Sequence, residues 1–403
     1  MQNVGTPRIY VDMTQYYIAT GSKVRNYGAS GLEVGNYTTY PNDILVSSAA
    51  ANFLTEAELH SSLGLNMGGQ ITFPHGQTTN NPARWFSVYM PSYAFGGTGL
   101  WCGVFGHNFK SIGMYKAYIG FRDAEGGSLG QETGACHQTD PFTAGGEFTE
   151  YDGWSIKAGD VGNLPEAAFH HITISNHTGG SSESGYEGTT FTGNPKFNTW
   201  NIGTYYDFPH SPDLNLTMSI EMDGITTQQT KGGATLTNAR YTGAPKWGDL
   251  GAWELGDSST ASTLGARNGR RQWNLTFSYL SDKNVLPINA LGNTVFDINS
   301  ASHYTPNTYN DDGDLIEIND YTGGVDSDYF NSNVLDGEDF FSSVWNKTMG
   351  GHLPFIFNPQ GGGSTPNNNP DQFAICRFDM NSLQVKQVAF NTYTISLKIR
   401  ECW

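Results

Sequence analysis

A serine flanked by glycines is the first candidate for chemistry in this chain. The segment Gly-Gly-Ser-Leu-Gly at 126–130 matches the Gly-x-Ser-x-Gly pattern of a nucleophile elbow. That elbow needs a strand before the serine and a helix after it, because the sharp turn between them lifts the hydroxyl above a sheet. The segment that follows, Gln-Glu-Thr-Gly-Ala at 131–135, carries no helical pattern. We therefore interpret the match as a chance result of a glycine- and serine-rich composition.

Carboxylates near residue 150 are the stronger enzymatic candidate. Glu147, Glu150 and Asp152 lie close together, and 150–155 reads Glu-Tyr-Asp-Gly-Trp-Ser. In β-sandwich glycosidases resembling laminarinases, one strand presents Glu-x-Asp-x-x-Glu, which puts a nucleophile and a general acid in one cleft. Ser155 stands where that pattern needs its last acid, so the second carboxylate is missing. An exposed polar strand is the favoured interpretation.

Histidines form an apparent metal cluster at His170, His171 and His177. If residues 172–175 form a strand, His171 and His177 share a face but lie about 20 Å apart at roughly 3.3 Å per residue. They cannot both reach one zinc ion, whose nitrogen ligands sit at about 2 Å. Cys136-His137 is similarly isolated. Structural or exposed histidines are expected.

An acidic loop at 310–314, Asn-Asp-Asp-Gly-Asp, resembles the start of a calcium loop. With Gly313 at position six of an EF-hand loop, Thr308 and Asn319 occupy positions one and twelve, where Asp and Glu belong. An EF-hand is excluded, and a solvated loop is favoured over a weaker calcium site. Phosphate-binding glycine motifs are also missing. The sequence therefore predicts no catalytic, cofactor-binding or metal-ligating residue.

Composition indicates a large, polar β protein. The 403 residues include 50 glycines, and 21 Lys+Arg against 38 Asp+Glu give a net charge of −17. Non-specific binding to phosphate backbones depends on Lys and Arg, so no nucleic-acid partner is expected. Aromatics at 13% and charged residues at only 15% argue against disorder. Helical bundles are also disfavoured, because strong helix formers are scarce.

Targeting signals and cysteine spacing bear on location. Residues 1–7 show no basic patch followed by an apolar core, and no run approaches the roughly 18 apolar residues of a bilayer span. No signal peptide and no membrane insertion are therefore predicted, and synthesis in a cytoplasm is expected. The four cysteines form no Cys-x-x-Cys pair, so buried, reduced thiols are expected: Cys102, Cys136, Cys376 and Cys402.

Alternation of apolar and polar residues is the clearest local signal. It covers 214–222, 273–279 and 393–400, and it is typical of antiparallel sheets with one face in water. Asp223-Gly224 after the first run predicts a hairpin that continues into 225–227. The predicted fold is mainly β, built from antiparallel β-sandwich modules.

One short amphipathic helix is predicted at about 337–349, because apolar residues recur there at helical spacing and Gly350-Gly351 follow. Residues 301–345 hold ten acidic residues and no Lys or Arg. We predict three regions: an N-terminal β-rich segment (1–80) packing on the C-terminal domain, a central β-sandwich (81–200) and a C-terminal β-rich assembly domain with the helix (201–403).

Four stretches resemble bacteriophage tail proteins. They are Leu-Trp-Cys-Gly-Val-Phe-Gly-His-Asn-Phe at 100–109, Tyr-Asp-Phe-Pro-His-Ser-Pro-Asp at 206–213, Asn-Gly-Arg-Arg-Gln-Trp-Asn-Leu-Thr-Phe-Ser-Tyr-Leu at 268–280, and the helix with Leu-Pro-Phe-Ile-Phe at 353–357 and the closing strands from 371 to 401. The first is similar to an apolar strand ending in Gly/Asn-His-Asn-Leu, with Phe109 in place of the usual Leu. The last resembles the C-terminal ring-forming domain of tail-tip and baseplate proteins, including distal tail-like proteins.

This resemblance implies a non-enzymatic virion component without cofactors, located in the phage tail. Such a protein assembles with itself into a ring or collar. Its other partners are tail proteins such as the tube, the hub or fibres.

Two alternatives from other classes stay open. A carbohydrate- or receptor-binding protein of the virion would stack exposed aromatics on host-surface glycans, and the candidates are Trp85, Trp101, Trp154 and Trp200. A β-sandwich enzyme that cleaves glycans would need the carboxylate pair that Ser155 interrupts.

Overall fold

The computed structural model describes most of the chain in segments. These are residues 5–26, 43–48, 55–65, 67, 69–72, 84–89, 99–112, 116–123, 136–138, 151–160, 168–175, 193–222, 225–239, 244–257, 262–264, 269–286, 308–309, 315–316, 338–363 and 366–402. The described fold is mainly β, as predicted, and strand pairing in its large sheet is antiparallel throughout.

Strands of two to eleven residues run through both halves of the described chain. In the first half they are β1 (Arg8–Asp12), β2 (Val24–Asn26), β3 (Ile44–Ser48), β4 (Ile71–Thr72), β5 (Arg84–Tyr89), β6 (Gly99–His107), β7 (Lys116–Asp123), β8 (Cys136–Gln138), β9 (Gly153–Asp160), β10 (Ala168–Ser175), β11 (Lys196–Phe197) and β12 (Thr199–Asp207). In the second half they are β13 (Thr217–Glu221), β14 (Ile225–Gln229), β15 (Thr235–Ala239), β16 (Lys246–Trp247), β17 (Leu250–Gly251), β18 (Leu255–Asp257), β19 (Ser262–Leu264), β20 (Arg270–Leu280), β21 (Thr308–Tyr309), β22 (Leu315–Ile316), β23 (Phe355–Asn358), β24 (Ala374–Phe378), β25 (Val385–Ala389) and β26 (Thr392–Glu401).

One ten-stranded sheet dominates, in the order β13-β20-β26-β24-β23-β1-β12-β6-β9, with β25 also pairing β26. It takes strands from each of the three regions that the sequence suggests, and the boundaries near 80 and 200 stay predictions. A second sheet has the order β2-β3-β5-β10-β7-β8. Its residues Val24, Ile44 and Val46 join the same apolar cluster as Ile9 and Ile202 of the large sheet, which gives the sandwich-like arrangement.

Two apolar clusters cover opposite faces of the central strands. The large core takes Ile9 and Val11 of β1, whereas the aromatic core takes Tyr10 between them. In β6, β23 and β24 successive residues likewise alternate between the two cores. The aromatic core is built from edge-to-face rings, among them Phe105, Trp154, Trp247 and Trp253. Side chains on both faces of the sheet are therefore buried at its centre, whereas antiparallel sheets commonly expose one face to solvent.

The expected alternation is confirmed in β20 and β26. Every second residue is buried along most of both strands, and Trp273, Leu275 and Phe277 of β20 enter the large core. Their alternate side chains are exposed or half-buried. Burial of both faces is therefore confined to the centre of the sheet and is lost towards β13.

The helix predicted near 337–349 is shorter than expected and is a π-helix. Residues Phe341–Asn346 form a π-helix, and Asp339 Oδ1 accepts a hydrogen bond of 2.9 Å from the Ser342 amide at its start. Met349, Gly350 and Gly351 all have positive φ, which ends it where the glycines predicted. The other helices among the described residues are α1 (Met13–Ala19), α2 (Glu56–Ser61) and α3 (Asp282–Val285). Among the described residues, no helix is long and apolar enough to cross a membrane.

The hairpin expected at Asp223-Gly224 does not form between β13 and β14. β13 pairs with β20 through Thr217↔Asn274 to Glu221↔Arg270, whereas β14 pairs with β15 through Ile225↔Ala239 to Gln229↔Thr235. The turn of that second hairpin is closed by Thr230, whose amide donates to the Ala234 carbonyl at 2.9 Å. β14 therefore pairs with the strand that follows it and not with β13. Asp223 and Gly224 themselves lie outside the described residues.

Candidate functional site

Most sequence candidates for catalysis or metal binding lie outside the described residues. They are the segment 126–130, Glu147, Glu150, His177 and the acidic loop 310–314. The backbones of β8 and β10 are described, but the side chains of Cys136, His137, His170 and His171 are not. Within the part of the chain that is described, no three His, Cys, Asp or Glu residues are placed to hold a metal ion.

Asp152 of the glycosidase-like segment is engaged by the backbone of another loop. Its Oδ1 accepts a hydrogen bond of 3.0 Å from the Ser111 amide, and its other oxygen accepts from the Ser111 hydroxyl. Its own backbone exchanges hydrogen bonds of 2.8 and 2.9 Å with Gly256. Burial raises the pKa of Asp152, although these hydrogen bonds oppose the shift. The carboxylate therefore fixes a loop junction.

Ser155, where the glycosidase pattern needs an acid, lies beside a histidine. Its hydroxyl is 3.0 Å from Nε2 of His107 at the end of β6, and both residues are buried. The imidazole stacks on Phe109 with ring centroids 4.3 Å apart, and burial lowers the pKa of His107 to about 3. A general base works best with a pKa near the operating pH. His107 is thus a weak base beside the buried hydroxyl of Ser155. Their contact joins β6 to β9.

Three of the four tryptophans proposed to stack on sugars are core residues. Trp101 and Trp200 are fully buried, and Trp154 is 2% exposed. Trp101 also donates its indole N–H to the Val11 carbonyl at 2.9 Å. These three rings therefore cannot supply the exposed stacking surface that the sugar-binding alternative requires, because they fill the apolar cores on the two faces of the sheet. The side chain of Trp85 lies outside the described part of the structure.

A buried carboxylate that sequence reasoning missed sits at the centre of the sheet. Asp12 accepts hydrogen bonds from the amides of Thr14 and Gln15 at the start of α1, and from Asn201 Nδ2 at 2.9 Å. Burial raises the pKa of Asp12 to about 6 despite these bonds. An Asp before a helix is a recognisable capping signal. Asn201, 189 positions away, could not be assigned to it from sequence.

Two ion pairs also hold distant strands together. Arg271 of β20 donates from Nε and Nη2 to the two oxygens of Glu401, each at 3.1 Å. Its Nη1 donates to the Asp371 carbonyl, and Nη2 also donates to the Phe373 carbonyl. Arg8 of β1 forms a two-pronged pair with Asp207 of β12 at 2.5 and 2.7 Å. Each guanidinium is satisfied inside the protein, so both pairs are structural.

Exposed apolar side chains mark the surface that differs most from this buried interior. Nine large apolar side chains are exposed in the described residues, and five of them lie between 214 and 236. We call β13, β14 and β15 with these residues the open edge: Leu214, Ile220, Met222, Ile225 and Leu236. A second group lies where β20 ends and β25 turns into β26: Tyr279, Val388 and Phe390. Exposed apolar side chains concentrated in one segment of the chain are candidates for contact surfaces.

The open edge includes a free-standing hairpin, residues 225–239, which we call the arm. Every described side chain from 225 to 238 is exposed. Among the described strands, β14 and β15 pair with each other and with no other strand. Ten strand residues of the arm carry no charge, and Lys231 in the turn is its one ionisable group.

Comparison with known proteins identifies no relative. No protein-family model, no curated protein and no solved structure matches the chain. Function is therefore inferred from the chain's own surfaces and contacts, and the open edge is the candidate functional site.

Proposed function

We propose that this chain is a non-enzymatic structural protein of a bacteriophage tail tip or baseplate. It assembles into a ring or collar that connects the tail to fibres or to host-contact proteins. The open edge is the observation that carries this proposal. A sheet edge with exposed Ile220 and Met222 is a template for pairing with another chain, and natural proteins usually blunt such edges unless they are used.

The stretches that resemble tail proteins support the same function by their position. They supply β6, the end of β12, β20, the π-helix with β23, and β24 with β26. All six strands belong to the large sheet, and the π-helix adds Phe340 and Val344 to its large core. One sheet therefore gathers the residues of the resemblance, and its end strand β13 is part of the open edge.

The competing functions gain no specific support from the described residues. A sugar-stacking site would need exposed rings, whereas Trp101, Trp154 and Trp200 are buried. A retaining or inverting glycosidase needs two carboxylates about 5–10 Å apart in a cleft. Asp152 is engaged by Ser111, and Ser155 replaces the second acid.

Mass spectrometry of purified phage particles whose genome encodes this chain tests the proposal. We expect the chain among the virion proteins, at a copy number that matches a closed ring. Cryo-electron microscopy of the same particles should place that ring at the tail end. Particles that lack the chain would contradict the proposal, as would a location in the capsid.

A further inference from the structure

The arm is an unusual structure for a protein surface. An isolated two-stranded hairpin is only marginally stable in water, and three strands or a packing partner are usually needed. Here the side chains of both arm faces are exposed, including Ile225 on one face and Leu236 on the other. The arm therefore has the features of an element that is completed by a contact outside this chain.

The strand edges of the arm lack the usual protection against pairing. Natural edge strands carry charges, prolines or bulges that discourage association. The arm strands read Ile-Thr-Thr-Gln-Gln and Thr-Leu-Thr-Asn-Ala, with no charge and no proline, and their register is regular. Cross-strand pairs such as Thr227↔Thr237 leave the outer N–H and C=O groups of both strands open in the described structure.

A complementary edge lies on the same molecule. β13 pairs on one side with β20 and ends the large sheet, so its other side faces away from the described strands. It is five residues long, as are β14 and β15, and it presents exposed Ile220. Each copy of the chain thus offers one arm and one receiving edge of matching length.

Charge favours a second copy of this chain as the occupant. Two copies with a net charge of −17 repel each other wherever carboxylates meet. The arm has no carboxylate over 15 residues, so it can approach another copy without that repulsion. On β13 itself, Glu221 is neutralised by Arg400 at 2.8 Å.

We infer that the arm of one copy adds to the β13 edge of the next copy by antiparallel or parallel strand pairing. This inference rests on the proposed function and names the contact by which the ring forms. Because donor and acceptor are different patches, the contact is head-to-tail. Such contacts generate closed rings when the rotation between copies closes.

Self-association of the purified full chain tests the inference. The variant Thr227→Glu/Leu236→Glu puts a charge on each face of the arm, at exposed positions where the fold is not disturbed. We expect at least about a tenfold weaker association by light scattering coupled to size exclusion. The matched control is Asn381→Glu/Gln384→Glu, which adds the same charge at exposed polar positions between β24 and β25 and should associate like the wild type.

Cysteine cross-linking then identifies the two patches. One preparation carries Ser219→Cys on β13 and a second carries Thr227→Cys on the arm, both at exposed positions. A short bis-maleimide should link the two proteins only in the mixture. The wild type and each variant alone report any linkage through the native cysteines.

The outcomes separate this inference from the function. A monomeric wild type, an arm variant that associates normally, or a mixture without the specific link would overturn the arm-to-edge contact. The chain would still be found in virions if the proposed function holds. Its absence from virions would overturn the function whatever the arm does.

Discussion

The central and lateral strands of the large sheet share a backbone pairing but differ in their surroundings. β1, β12, β6 and β23 lie between two apolar cores, and their side chains alternate from one core to the other. β13 and β25 of the same sheet carry mostly exposed or half-buried residues, and so does the arm, which pairs with no described strand of that sheet. The central strands are therefore stabilised by apolar packing on both faces, whereas the exposed strands are the ones that we propose as contact surfaces.

The largest expected effect comes from removing an aromatic ring at the centre. Phe357 is fully buried in the large core, beside Trp273 at 5.1 Å between ring centroids. Phe357→Ala should lower the free energy of unfolding by about 3–5 kcal/mol, through lost transfer energy and the cavity left behind. Phe390→Ala, at an 82% exposed position, should change it by less than about 0.5 kcal/mol. Guanidinium chloride denaturation measures both, and similar values for the two would contradict the difference between the central and the exposed strands.

Ion pairs offer a second contrast between centre and periphery. Glu401→Gln leaves the buried Arg271 without its anionic partner, and we expect a loss of about 3–5 kcal/mol. The control is Asp379→Asn, which removes a half-exposed pair with Lys398 and should cost at most about 1 kcal/mol because water screens that pair. Urea denaturation of both variants compares them. A loss below 1 kcal/mol for Glu401→Gln would show that the buried pair is not essential to the centre.

Local burial could be predicted from the sequence, whereas contacts between distant strands could not. Alternation at 273–279 and 393–400 correctly predicted one-sided burial, because a period of two is a direct consequence of strand geometry. The pairing of Arg8 with Asp207, of Asp12 with Asn201 and of Arg271 with Glu401 could not be predicted, since each pair is more than 120 positions apart. One sequence carries no information on which strands become neighbours. The arm was missed for a related reason: Asp223-Gly224 signals a turn but not the partner of the strand that follows.

Burial of Asp12, in the central strand β1, predicts that the free energy of unfolding depends on pH. Its pKa is raised from 3.8 to about 6 in the folded state, so the folded protein binds a proton more readily than the unfolded chain. The resulting stabilisation is fully present below about pH 4 and is lost as the pH rises through about 6. Relative to Asp12→Asn, the wild type should therefore lose about 2–3 kcal/mol between pH 4 and pH 7.

Denaturation of the wild type and Asp12→Asn at matched pH values isolates this contribution, because other titrating groups cancel in the difference. A difference that does not vary between pH 4 and pH 7 would show that the carboxyl of Asp12 titrates normally.

The smallest expected effect tests where along β13 the buried core ends and the exposed open edge begins. Met218 and Ile220 lie on the same face of β13, but Met218 packs against the large core and Ile220 is exposed. Met218→Ser should cost about 1 kcal/mol of unfolding free energy, since it removes partly buried apolar area. Ile220→Ser should change stability by less than about 0.5 kcal/mol and should weaken self-association instead. If Ile220→Ser destabilised the monomer as much as Met218→Ser, the core would extend to the end of β13, and the open edge would begin at the arm.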